Sequence, residues 1–295
     1  MSGYMFKTGE ELLALCRREG LAISEVMLRR EMEQSERARA DILSEMQGSL
    51  AIMRTSVEEG LAGERRSVSS LTGGDAAKLE FRAENEKTLS GARMAKAVAA
   101  SMAVAEVNAC MGRIVAAPTA GASGILPGAL VTLAKDFGWD DAAQARGLFN
   151  AGALGLLIAH NFTISGAAGG CQAETGTAAA MTASALVELC GGTPEACLHA
   201  AASALKNVMG LVCDPVAGLV ECPCIKRNAL GAANALICAD MALAGIESLI
   251  PFDEVVAAMK SVGRLMSPDL RETAKGGLAV TPTARAIKKQ LGLEE

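Results

Sequence analysis

Aromatic side chains make up only 3% of this 295-residue chain, and histidine occurs twice. Sheet-built folds draw on aromatic and β-branched residues for their half-buried strands, so the scarcity argues against a β-sandwich. Of the two histidines, His160 follows an apolar helix and His199 sits among alanines, and neither marks a Ser/His/Asp arrangement. The net charge is −5 and no long Lys/Arg block occurs, which argues against nucleic acid as the main partner. Long apolar runs are missing too: residues 151–159 give nine before His160 and Asn161 interrupt. A membrane-crossing helix needs roughly 20, so no membrane association is expected. The amino-terminal MSGYMFKTGEEL has no basic stretch leading into an apolar one, so no export signal is expected. Nine cysteines in such a chain then read as free thiols of a soluble, cytoplasmic protein.

What is abundant is small and aliphatic. The chain is 51% hydrophobic, mostly Ala, Leu, Val and Met, a mixture suited to close-packed helices. Charge is distributed unevenly: residues 1–66 carry 22 charged side chains, residues 89–221 only 15. The first segment has helical periodicity and reads as two or three amphipathic helices covering a core or a partner. Ser and Gly cluster in SVSSLTGGD (67–75), which reads as a linker or as a loop folded over an active site, the linker being favoured. Beyond it, Ala-rich helices alternate with Gly/Pro breaks. Helices are expected over residues 91–112, 141–160, 194–209 and 227–247, with others opening at Pro127 and near Asp253. The expectation is an all-α protein with a charged helical segment over 1–66 and an all-helical domain over 67–295.

Three cysteines fall in the stretches richest in Gly and Pro: Cys171 in SGAAGGCQAE, Cys213 in LVCDPVAG and Cys224 in VECPCIKRN. Each should lie at a helix end or on a loop, where backbone can bend around a ligand. Three thiolates from separated loops can hold an iron–sulfur cluster with one iron position open. Zinc is the rival, but zinc ligands usually come as CxxC pairs, and this chain has none. Ordinary buried cysteines remain the plain alternative, and Cys222 is a possible extra ligand. The other five cysteines fall in or at the ends of expected helices and read as small core residues.

A thiolate at the start of the helix opening at Cys171 gains from the helix dipole and its free N–H groups. Lys226 and Arg227 place two cations after Cys224, which suits a carboxylate substrate, though they could equally begin a solvated helix. The loop APTAGASG offers Thr119, Gly121 and Ser123, with backbone N–H groups, as a nest for the same carboxylate. His160 is a weak candidate for a general base, and both histidines read more readily as structural.

Four stretches, APTAGASGILPG, ISGAAGGCQAE, LVCDPVAGLVECPCIKRN and LRETAKGGLAVTPT, together closely resemble the iron–sulfur-dependent L-serine dehydratases, specifically the α chain of the two-chain form. The resemblance covers roughly residues 67–285. It implies an all-helical catalytic domain with a [4Fe–4S] cluster on Cys171, Cys213 and Cys224, and conversion of L-serine to pyruvate and ammonia. Family members often carry an aliphatic residue at the position of Cys222, which argues against it as a ligand. The family's other domain carries a Ser-Ser-Ser-His-Thr run and a second histidine motif, and neither occurs here. The resemblance therefore implies a separate β chain that supplies the base. Other β-substituted amino acids such as cysteine or threonine, and a non-catalytic iron–sulfur sensor, are the alternatives. A pyridoxal phosphate enzyme would need an α/β fold and a Schiff-base lysine, for which only Lys78 beside TGGD offers itself.

Overall fold

A helix made almost entirely of small residues, CQAETGTAAAMTASALVEL, runs through the middle of the molecule, and most of its side chains are buried. The computed structural model describes residues 3–293, so the outermost residues of both expected segments, 1–2 and 294–295, lie outside it. Among the described residues there are thirteen α-helices: α1 (Gly9–Glu19), α2 (Ile23–Ser35), α3 (Arg39–Leu61), α4 (Asp75–Asn85), α5 (Ala92–Ala109), α6 (Ile125–Phe137), α7 (Asp141–Asn161), α8 (Gly166–Gly169), α9 (Cys171–Leu189), α10 (Pro194–Asn207), α11 (Cys224–Leu243), α12 (Phe252–Leu265) and α13 (Pro282–Gln290). No strand forms among them, only an isolated parallel bridge between Cys213 and Arg271. The protein is all-α. No described helix is long and apolar enough to cross a membrane.

α9 is the central helix, flanked by α6, α7, α10 and α11. Alanine, serine and threonine along it let four neighbours approach closely, which is how a core this poor in aromatics fills its volume. The charged first segment joins that core. Leu12 on α1, Ile23 on α2 and Leu50 on α3 share one apolar cluster with α7, α9 and α10 and are at most 1% exposed. Burying side chains of that size contributes about 2 kcal/mol each.

Helix boundaries shift from the sequence reading where proline or a cap decides them. Thr193 caps α10 as expected, its hydroxyl accepting from Ala196 N, with Pro194 first in the helix. α6 starts at Ile125, so Pro127 sits inside its first turn instead of opening it. The first-turn N–H groups have no intrahelical acceptor, so proline costs little at any of those positions. α11 likewise begins at Cys224, three residues earlier than expected.

Residues 67–75 are a packed loop and not a linker. Ser69 and Thr72 donate their hydroxyls to Glu221 Oε2, each at 2.8 Å. Gly74, Asp75 and Ala76 donate their amides to the buried Glu106 carboxylate. The loop is thereby pinned against the segment that leads into Cys224.

Candidate metal centre

Each of the three cysteines is placed by a different local device. Gly170 holds φ +76°, and a side chain there would meet Met266 and Leu211 O, so only glycine gives this entry into α9. Cys171 is thus the first helical residue. The next side chain, Gln172, donates to Gly169 O and Met259 O and accepts from Gly210 N, tying the helix start to the strand-like stretch before Cys213. Cys213 itself is gripped by its backbone: its N–H donates to Leu270 O at 2.8 Å, and its carbonyl accepts from Glu272 N at 2.7 Å. Cys224 is the first residue of α11. Asn228, one turn on, donates to both Cys224 O and Gly121 O and accepts from Gly124 N, which ties the 117–124 loop to the same helix end.

The devices converge. The Cys171 and Cys213 sulfurs and a Glu174 carboxylate oxygen all lie within 4.8 Å of one another. Gly166 leaves room at this point: a Cβ there would stand 3.0 Å from Cys213 Sγ, 3.3 Å from Glu174 Oε2 and 3.4 Å from Glu272 Oε2. All three cysteines are buried, at 2%, 3% and 7% exposure for Cys171, Cys213 and Cys224. Two of them, Cys171 and Cys224, are the first residues of long helices, where the unsatisfied N–H groups favour negative sulfur.

Electrostatics sort the thiols. The hydrogen bond between the two sulfurs lowers the Cys171 thiol despite burial, and the Arg227 charge lowers it further. The same bond, followed by burial, holds Cys213 protonated, far above the usual thiol range. Burial pushes the Cys224 thiol up to about 12, and the charges of Cys171 and Glu174 add to the effect, although Cys224 is not among the groups that meet within 4.8 Å. Burial also raises the Glu174 carboxyl, against a hydrogen bond from the Thr119 hydroxyl. Arg227 serves three partners: Cys171 Sγ at 3.3 Å, Val212 O at 2.8 Å and Asp214 Oδ1 at 2.8 Å. A buried pocket of thiols without a metal is costly to ionise, whereas a soft cation at their centre would offset that cost.

The residues expected from sequence fall as follows. Thr119 bonds Glu174, and Gly121 lies against the same carboxylate, where a Cβ would come within 2.7 Å of Oε1. Ser123 is fully buried and its hydroxyl has no hydrogen-bond partner. Lys226 is exposed, and its charge is felt at Asp75 on α4. Cys222 is exposed, facing solvent two residues before the buried Cys224. His160 is exposed at the end of α7. His199 accepts from Ser248 N at Nδ1. Lys78 is 74% exposed and paired with Asp75, on an all-α scaffold that offers no phosphate-binding strand turn. Sequence reasoning passed over Glu174 and Glu272. Glu174 had a signal: three residues after Cys171 on a helix, it shares that cysteine's face.

Comparison with known proteins gives a consistent result. The family model of the serine dehydratase alpha chain matches residues 18–279. The chain is 50% identical over 287 residues to the "Probable L-serine dehydratase, alpha chain" of Bacillus subtilis, covering 97% of this chain and 95% of that one. It is 43% identical over 285 residues to the L-serine dehydratase, alpha chain, of Peptoniphilus asaccharolyticus, covering 97% and 98%. A longer relative, the L-serine dehydratase of Streptomyces coelicolor, is 41% identical over 285 residues, which span 94% of this chain but 61% of that one.

Proposed function

This chain belongs to the serine dehydratase alpha-chain family, and from that premise we propose that it converts L-serine to pyruvate and ammonia as a carbon–nitrogen lyase, using a [4Fe–4S] cluster held by Cys171, Cys213 and Cys224. The observation that carries the reading is the meeting of two cysteine sulfurs and a carboxylate within 4.8 Å, beside a third buried cysteine. The donor set fits the group. Thiolates are the soft ligands that iron–sulfur clusters take, and two of the three cysteine sulfurs already stand together here. When bound, the cluster would supply a Lewis-acidic iron to the β-hydroxyl of serine.

The chain's own residues do the rest of the positioning. Arg227 donates to Cys171 Sγ and favours its thiolate, and Asp214 fixes the guanidinium in turn. Thr119 orients the Glu174 carboxylate beside the cysteines. The loop of Thr119, Gly121 and Ser123 receives the substrate carboxylate through the Ser123 hydroxyl and its backbone N–H groups. Burial of the three cysteines keeps water from the reacting centre. Loss of the Cα proton and of hydroxide leaves 2-aminoacrylate, which tautomerises to an imine and hydrolyses. Neither histidine of this chain has an acid–base setting, so we assign the base to a separate β chain, as the alpha-chain names of the relatives imply. Its docking over this site would bury roughly 1,200–2,000 Å².

Serine-dependent pyruvate formation, measured anaerobically after reconstitution with iron and sulfide and with the β chain present, tests the reading. Turnover of L-serine supports it; a loaded complex inert towards L-serine sinks it. Ser123→Ala is expected to leave metal content and stability unchanged, because the native hydroxyl is already unpartnered. It should raise KM roughly tenfold to a hundredfold through the lost bond to a charged carboxylate. An unchanged KM in both Ser123→Ala and Thr119→Ala would make this loop merely structural.

A further inference from the structure

The short bridge that grips Cys213 also fixes a residue of unusual backbone conformation. Glu272 has φ +61°, a region in which a side chain clashes and glycine does not. It is held there by its N–H bond to Cys213 O. The consequence is positional: Glu272 Oε2 and Cys213 Sγ both lie within 3.4 Å of the point where a Gly166 side chain would begin. Glu272 is exposed, yet this oxygen lies beside the centre, and its charge is felt at Cys213, Cys224 and Glu174. Arg227, the cation that bonds Cys171, is already engaged by Asp214. Among the described residues neither Glu174 nor Glu272 has a basic partner in ion-pair range, and the Glu272 carboxylate accepts no hydrogen bond. An amino-acid substrate brings the missing positive charge: its α-ammonium, adjacent to a carboxylate and a leaving group that other residues of this site receive.

We propose that Glu272 binds the α-ammonium group of the substrate and so sets the preference of this site for 2-amino acids over molecules lacking the amine. The inference rests on the reading of the site as a serine dehydratase. It predicts a split between binding and turnover. In the reconstituted complex, Glu272→Gln should raise KM for L-serine about tenfold or more while kcat changes little, and iron content and the cluster absorption should match the native enzyme. Inhibition by 3-hydroxypropionate, which keeps the carboxylate and β-hydroxyl but has no amine, should be unchanged. Glu272→Gly relieves the backbone clash and should show the same KM rise, which separates the carboxylate from the conformation. Glu272→Asp should recover part of the affinity. Native KM in both the Gln and Gly variants, or equal weakening of serine and 3-hydroxypropionate, would overturn the proposal while leaving the dehydratase reading intact. A native complex that does not turn over serine at all would overturn both.

Discussion

Cys224→Ala is expected to leave a folded chain that no longer holds iron, while Cys222→Ala, two residues earlier, loads as the native chain does. The two cysteines differ in one respect that matters. Cys224 is buried as the first residue of α11, close enough to Cys171 and Glu174 for their charges to raise its thiol, whereas Cys222 is exposed. Losing one sulfur atom from a buried site removes little volume, so the fold should persist. Losing one of three thiolates removes an obligatory ligand. Iron and acid-labile sulfide should fall to background in Cys224→Ala, and serine turnover with them. If Cys222→Ala loses the metal and Cys224→Ala keeps it, the ligand set is wrong.

The second large effect is on stability. Arg227 and Asp214 form an ion pair at 2.8 Å with side chains only 13% and 4% exposed, and Asp214 Oδ2 also accepts from Leu278 N. Replacing Arg227 with Leu leaves the Asp214 carboxylate buried without its cation. Breaking a buried pair from one side costs about 3–5 kcal/mol. For a chain of this size that corresponds to a fall in Tm of roughly 5–8 °C. The double variant Arg227→Leu/Asp214→Asn should recover a good part of the loss, since no unpaired charge remains. Arg227→Lys should not, because a point charge cannot reach Cys171, Val212 O and Asp214 together. Thermal unfolding of the metal-free chain measures all three. A single Arg227→Leu variant within about 1 kcal/mol of native would show that the pair contributes nothing net.

Fold class was legible because composition and punctuation agree. Few aromatics, many alanines and Gly/Pro breaks specify packed helices, and the breaks mark where the cysteines lie. The loop over 67–75 was misread because Ser and Gly signal a turn without revealing its anchor. The anchor, Glu221, lies some 150 residues away in sequence. The two adjacent cations show how a small boundary error propagates. With α11 beginning at Cys224, Arg227 comes three residues later and shares the cysteine's face, while Lys226 turns outward. A helix taken to start at 227 cannot assign that phase. Glu272 was illegible for a different reason. Its position depends on a two-hydrogen-bond bridge between distant segments and on a backbone conformation that no propensity assigns to glutamate.

The central claim is that three cysteines of this chain hold a cluster whose remaining iron meets the substrate. Mössbauer spectroscopy of the ⁵⁷Fe-reconstituted protein, with and without L-serine, tests it most directly. The account predicts that one iron site in four changes its isomer shift and quadrupole splitting on serine addition, with the other three unmoved. Spectra of four equivalent irons indifferent to serine, or a protein that takes up no iron and sulfide, would contradict it.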